Sequence, residues 1–218
     1  AFQSLILVSV FLFAVWSLFP IYWMIKSAVS EGPVALTFKQ FLPNGFTLEA
    51  FREVFVRHPF AAWMLNSVFV SGLSTAIAII FGTLSGYALS RYKFRARTFL
   101  GNVLYFSQLL PYVVLLVPIF ILYTRVRLSN SLMGLVYLNV FFMVPICTWL
   151  LKGFFDSTPV EVEEAARLDG CSRLRTIFSI TVPMNLPGIF APSLFVLMDT
   201  WYEWLFASTL IDDPRKWT

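Results

Sequence analysis

Charge is scarce in this chain. Asp, Glu, Lys and Arg make up 13% of its 218 residues, and 58% are hydrophobic. A soluble domain carries about 25% charged residues, so one water-soluble core is excluded. Sulfur and imidazole are equally few: Cys147 lies in an apolar run, Cys171 in a polar loop, and His58 is the single histidine. They form no disulfide framework or zinc spacing. A membrane enzyme built on a nucleophile–base pair or a metal cluster would lack its parts. None of the ten glycines is followed by Lys, which removes the Gly-x-x-x-x-Gly-Lys-Ser/Thr loop that cradles nucleotide phosphates. No small-residue cleavage site follows the first apolar run, which argues against a removable signal peptide. The strict alternation of a membrane β-barrel is missing too.

The formal net charge is +4. On a soluble protein that would point to nucleic acid. Here the basic residues sit in short clusters between apolar stretches, as in loops at a bilayer surface, and no nucleic-acid partner is expected.

What the chain does have is apolar runs near 20 residues, the length a helix needs to cross a bilayer. Five qualify, at about 1–25, 61–89, 99–123, 128–151 and 187–211. A lone strand in lipid would leave its backbone unpaired, so the expected fold is all-α, a polytopic transmembrane helical bundle forming one domain over 1–218. Ser71, Gly72, Ser74, Thr75, Ala76, Gly82, Ser85 and Gly86 let the second span approach its neighbours closely. Pro111, Pro118 and Pro145 each remove a backbone donor and can kink a span; gating and purely structural roles are both open. The turn Arg91-Tyr92-Lys93-Phe94-Arg95-Ala96-Arg97 packs four basic residues without an acid and reads as cytoplasmic. Serial spans then put the loop at 152–186 on the same side. The outer loop Lys26–Phe60 dilutes its charges with Glu31, Glu49 and Glu53.

The loop at 152–186 is the informative stretch. Thr158 suits an N-cap, Pro159 the first helical position and Glu161 the far end of a capping box. Glu161, Glu163 and Glu164 lie near the positive end of the helix dipole. Gly170 is the natural stop, and Ser172 can cap a second helix carrying Leu174, Ile177 and Phe178 on one face. Residue chemistry alone leaves two readings: a contact site for a soluble partner, with small Ala165 and Ala166 permitting close docking, or a loop whose charges face water.

Glu164-Ala165-Ala166, then Gly170, then Ile180, Val182 and Pro183 stand in the register of Glu-Ala-Ala, three residues, Gly, nine residues, Ile-x-Leu-Pro. The stretch resembles the EAA loop of binding-protein-dependent ABC importer permeases, with Val182 in place of Leu the one departure. Asn66-Ser67, Gly86-Tyr87-Ala88 and Trp201-Tyr202-Glu203-Trp204-Leu205-Phe206-Ala207 extend the likeness to the carbohydrate-importing branch, within it to the second, maltose-type permease subunit. Tyr202 stands where those relatives more often have Asn. The resemblance implies a subunit of the bacterial or archaeal cytoplasmic membrane, without an ATPase site or cofactor of its own. It would form half of the solute path beside a second permease subunit. An extracytoplasmic solute-binding protein would deliver the cargo. Two copies of a cytoplasmic ATPase, carrying ATP and Mg, would grip Glu163, Glu164, Ala165, Ala166, Arg167, Leu168, Asp169 and Gly170. It also implies a sixth helix beyond residue 218.

Candidates for the solute path are Asn66, Gln108, Asn139, Asp199, Trp201, Glu203 and Trp204. Asp199 and Glu203 share one helical face, and acids inside a membrane usually face a cavity or a partner. Sugar hydroxyls could bond to them while Trp201 or Trp204 stacks on the ring. Alternatively the acids lie near the membrane edge or pair with the second permease subunit, and Asn66, Gln108 and Asn139 join helix to helix. The alternative cargo for the same machine is an amino acid, phosphate ester or peptide; the spans hold no Lys or Arg to meet a phosphate ester, which favours a neutral solute. A membrane scaffold or channel would show no dependence on Glu164 or Gly170.

Overall fold

A computed structural model describes residues 2–31, 41–43 and 45–218. Ala1 and the stretch 32–40 of the expected outer loop lie outside the described residues. The described residues form helices and no strand. They separate into two compact units, Ala1–Ala61 and Ala62–Thr218.

In the first unit, α1 (Phe2–Val29) is apolar around its whole circumference and long enough to cross a membrane. Pro20 lies inside it. The amphipathic α2 (Glu49–Arg57) follows, with an exposed Glu53–Arg57 ion pair one turn apart.

The second unit is built on two long spans, α3 (Phe60–Arg91) and α6 (Leu132–Ser157). Their approach is as close as the small residues predict. A Cβ at Gly82 would lie 2.4 Å from Cys147 Cβ, and one at Gly86 would lie 3.0 Å from Lys152 N and Thr148 O. Ser85 and Thr148 share a 2.6 Å hydrogen bond across the same contact. Helices in lipid associate through such packing and hydrogen bonds, since lipid itself solvates apolar side chains.

The expected third span, 99–123, is broken. α4 (Arg97–Ser107) gives way to a 3₁₀ turn at Tyr112–Leu115 and then α5 (Leu116–Arg125), and the two arms bend by 88°. Pro111 is extended at the break, φ −61° and ψ 116°. It lacks a donor and steers the residue before it away from helix. Pro118 falls in the first turn of α5, where a missing donor costs nothing. Pro145 is absorbed inside α6.

After α6 the chain forms α7 (Val160–Leu168), α8 (Arg173–Thr176), a π-helical turn over Ile177–Thr181 and the short α9 (Val182–Met184). It then bends by 80° into α10 (Leu186–Tyr202). The expected fifth span, 187–211, also breaks: α10 stops at Tyr202, Glu203 is extended, and α11 (Leu205–Leu210) resumes. Among the described residues three helices are long and apolar enough to cross a membrane, or five spans if each bent pair counts as one.

Two apolar clusters fill the second unit. One joins Val70, Tyr123, Leu135, Leu138, Phe206 and Leu210. The other joins Ala78, Tyr87, Met143, Leu151, Phe155 and Ile177. Asn139 lies on α6 between the Leu138 and Met143 contributions.

Candidate functional site

The elbow formed by α7 and α8 starts from local chemistry. Gly170 has φ +86°, a left-handed backbone that favours glycine. Its N–H bonds to Arg167 O at 3.1 Å, and the Cys171 N–H reaches back to Ala166 O at 3.0 Å. This paired closure satisfies the last carbonyls of α7. Ser172 then caps α8 by accepting from Arg175 N at 3.4 Å.

The other end of α7 departs from expectation. Thr158 does not cap it, and α7 begins at Val160 with no side-chain cap. The Thr158 hydroxyl is used elsewhere: it donates to Asn185 Oδ1 at 2.7 Å, and Asn185 Nδ2 donates to Thr181 O at 2.8 Å. Asn185, buried at the 80° bend, thus ties the end of α6 to the start of α10.

Glu163 also differs from its neighbours in the EAA stretch. It is 3% exposed and turned into the protein. The Tyr87 hydroxyl donates to its Oε2 at 2.8 Å, and Arg91 Nε donates to its Oε1 at 2.9 Å. Arg91 continues to Thr158 O at 2.9 Å. Tyr87 packs edge-on against Phe155 and Tyr92. Both carboxylate oxygens therefore have partners and the charge has its counter-ion, the conditions under which a buried ion pair is tolerated. The clamp brings the basic 91–97 turn beside the elbow, as serial spans require. Asp156 strengthens this end, accepting from Ser90 and Lys152.

Of the eight coupling candidates, Glu163 and Ala166 face inward. Glu164, Ala165, Arg167, Leu168, Asp169 and Gly170 are exposed. Leu168, at the tip of α7, is 89% exposed. The result is a short helix held from beneath, with a small acidic and apolar outer face.

A second feature lies at the breaks of the third and fifth spans. A cavity of about 450 Å³ is lined by polar Gln108, Asn139, Asp199 and Glu203 and by aromatic Tyr202 and Trp204, among others. Small-molecule sites span roughly 300–1,000 Å³. Gln108 Nε2 donates to Phe142 O at 3.3 Å. Glu203 caps α11, accepting from Phe206 N at 2.7 Å and Ala207 N at 3.1 Å, which explains why the helix restarts there. Asp199 makes no hydrogen bond or ion pair among the described residues.

Trp201 and Asn66 complete the path candidates. Trp201 lines a small crevice with Asn139 and Glu203. Asn66 donates to Arg215 O and Trp217 O, each at 3.0 Å, so it holds the 213–217 segment. Trp63 joins it, donating to Pro214 O and packing against Trp217. In that segment the Arg215 hydrogen bonds hold the Asp213 carboxyl below the usual carboxylate range.

Sequence reasoning named Tyr87 in the Gly86-Tyr87-Ala88 motif but missed its bond to Glu163, and it missed Asn185 and the inward turn of Glu163. The i, i+3 spacing of Glu163 and Ala166 was a signal for one buried face.

The family model described as "Binding-protein-dependent transport system inner membrane component" matches residues 78–215. The putative ABC transporter permease protein ORF1 of Streptomyces antibioticus is 36% identical over 81% of this chain and 77% of its own length. The trehalose/maltose transport system permease protein MalG of Thermococcus litoralis is 28% identical over 99% of this chain and 78% of its own. The crystal structure of a bacterial ABC transporter involved in the import of the acidic polysaccharide alginate contains a chain of the same fold. Its TM-score is 0.88 at 23% identity, covering 99% of this chain and 76% of that one.

Proposed function

The chain belongs to the family of binding-protein-dependent transport system inner membrane components and is a multi-pass permease subunit of an ABC importer; on that premise we propose that its cargo is a sugar or related polyol and that its motor is a separate cytoplasmic ATPase gripped through the elbow. The observation that carries the coupling is the division of α7 into two faces. Glu163 is consumed inside by Tyr87 and Arg91, while Glu164, Ala165 and Leu168 stand outside. A force applied to the outer face passes through a buried ion pair into α3 rather than dissipating in a loose loop.

In this reading Glu164 pairs with a basic side chain of the ATPase, Ala165 allows close approach, and Leu168 inserts into a cleft. ATP and Mg are held by two ATPase copies, and a second permease subunit supplies the other half of the path. An external binding protein delivers the solute. Nucleotide shifts the equilibrium between inward-open and outward-open states only by its differential affinity for them, so the elbow must stay docked in both. The sugar reading is supported by the trehalose/maltose relative and by the cavity, which combines aromatic walls with few polar groups.

The test is ATP hydrolysis stimulated by loaded binding protein in the assembled importer. Glu164→Ala is expected to lower stimulation or assembly. Full stimulation in both Glu164→Ala and Gly170→Pro would remove the elbow from the mechanism.

A further inference from the structure

The cavity holds a polar side chain that the fold leaves unanswered. Asn139 is 5% exposed and lines the cavity, yet its amide makes no hydrogen bond to any described residue. The amide opens onto the cavity rather than being sealed among apolar side chains, and an Asn side chain offers two donors and an acceptor. One turn of α10 away from the Glu203 break stands Asp199, likewise without a partner. Glu203 is different, since its two oxygens are occupied by the N–H groups of Phe206 and Ala207. The lining side chains with no hydrogen bond to a described residue thus include the Asn139 amide, the Asp199 carboxylate and the Tyr112 and Tyr202 hydroxyls, and Asp199 is the one charged group among them. No Lys, Arg or His appears among the lining residues.

This arrangement has a sign. A carboxylate accepts hydrogen bonds and donates none. It therefore suits a solute that presents hydroxyl or ammonium donors. A solute carboxylate, sulfate or phosphate would meet the exposed Asp199 carboxylate with no cation among this chain's described lining residues to offset the repulsion. Rejecting a wrong ligand by like charge is an efficient route to specificity. The fold does not dictate this sign, because the same fold occurs in an importer of an acidic polysaccharide.

We propose that Asp199 sets the charge of the accepted cargo: this cavity takes neutral or amino-bearing sugars, with Asn139 bonding a ring hydroxyl, and turns away anionic ones. The proposal rests on the sugar reading above and narrows it. Tyr202 and Trp204 supply the aromatic faces against which the apolar side of a sugar ring packs.

Three probes share one ring and differ in charge: glucosamine, glucose and glucuronate. Their binding to the assembled importer in lipid nanodiscs, without nucleotide, is measured by saturation-transfer NMR. Glucosamine and glucose are expected to bind, with glucuronate at least about tenfold weaker, a difference of roughly 1.4 kcal/mol. Asp199→Asn should bring glucuronate to within about twofold of glucose and weaken glucosamine. Asp199→Glu, which keeps the charge, should keep the order and shows that the Asn variant acts through charge rather than damage. Sugar binding with no charge order in the unsubstituted protein, or an order untouched by Asp199→Asn, overturns this inference alone. Absence of binding by all three sugars overturns the sugar reading and this inference with it.

Discussion

At the elbow, the Glu163 carboxylate is buried with both oxygens taken, one by Tyr87 and one by Arg91. At the cavity, Asn139 is as deeply buried and takes part in no hydrogen bond among the described residues, and the exposed Asp199, which lines the same cavity, is likewise unpaired among them. The two regions belong to one compact unit and handle polar groups in opposite ways. The elbow is closed, which suits the force transmission proposed for it. The cavity keeps polar valence in reserve, which suits the hydroxyl-bearing solute proposed for it.

The largest effect that could break this contrast comes from Glu163→Ala, which strands the Arg91 guanidinium in a buried site. Removing one partner of a buried pair costs about 3–5 kcal/mol, so thermal unfolding of the purified protein should shift strongly downward. Asn139→Ala should change stability by less than about 1 kcal/mol, since polar contacts within membranes average near 0.6, while altering sugar binding. Equal losses from both substitutions would erase the distinction.

Next in size is the close approach that supports the elbow from above. Gly86→Leu drives a side chain into the backbone at Lys152 and Thr148, and overpacking of this kind costs about 1–3 kcal/mol. Gly72→Leu is its control, because a Cβ there meets nothing within 4 Å; its own stability should stay within about 0.5 kcal/mol. Gly170→Ala should cost about 1–2 kcal/mol for the left-handed backbone alone, with nothing within 4 Å to clash. Its signature is a looser elbow, read as faster amide exchange in α7 with the cavity unaffected.

The smallest effect lies in the 213–217 segment. The Asp213 carboxyl is held low by Arg215, so its contribution is present above the ordinary carboxylate value and fades as pH falls through the lowered one. Asp213→Asn should remove that acid-side dependence from the exchange rates of the segment. Loss of the dependence at the elbow as well would show that the two ends are coupled.

Much of the architecture could be read from residue patterns. The apolar runs located the long spans, the small residues of α3 located its close contact, and Gly170 marked a helix end because few residues accept its backbone. The breaks in two expected spans were harder. Pro111 announces one, but the stop at Glu203 depends on a carboxylate folding forward onto the next helix, which composition does not display. Thr158 was a fair cap by local rules, but its hydroxyl is taken by Asn185, a residue brought near by the 80° bend, and α7 is left without a side-chain cap. Glu163 looked like its acidic neighbours until Tyr87 and Arg91, distant in sequence, arrived beside it. Local signals placed the elements, and long-range partners decided which side chains were already engaged.

The central claim is that the outer face of α7 looks into the cytoplasm and is covered by the ATPase. It is tested most directly with Leu168→Cys in a Cys171→Ser background, labelled by a membrane-impermeant maleimide in vesicles of each orientation. Labelling is expected in inside-out vesicles only, and it should fall sharply once the ATPase subunits are bound. Labelling from the opposite side, or labelling that the bound ATPase leaves unchanged, would contradict the account.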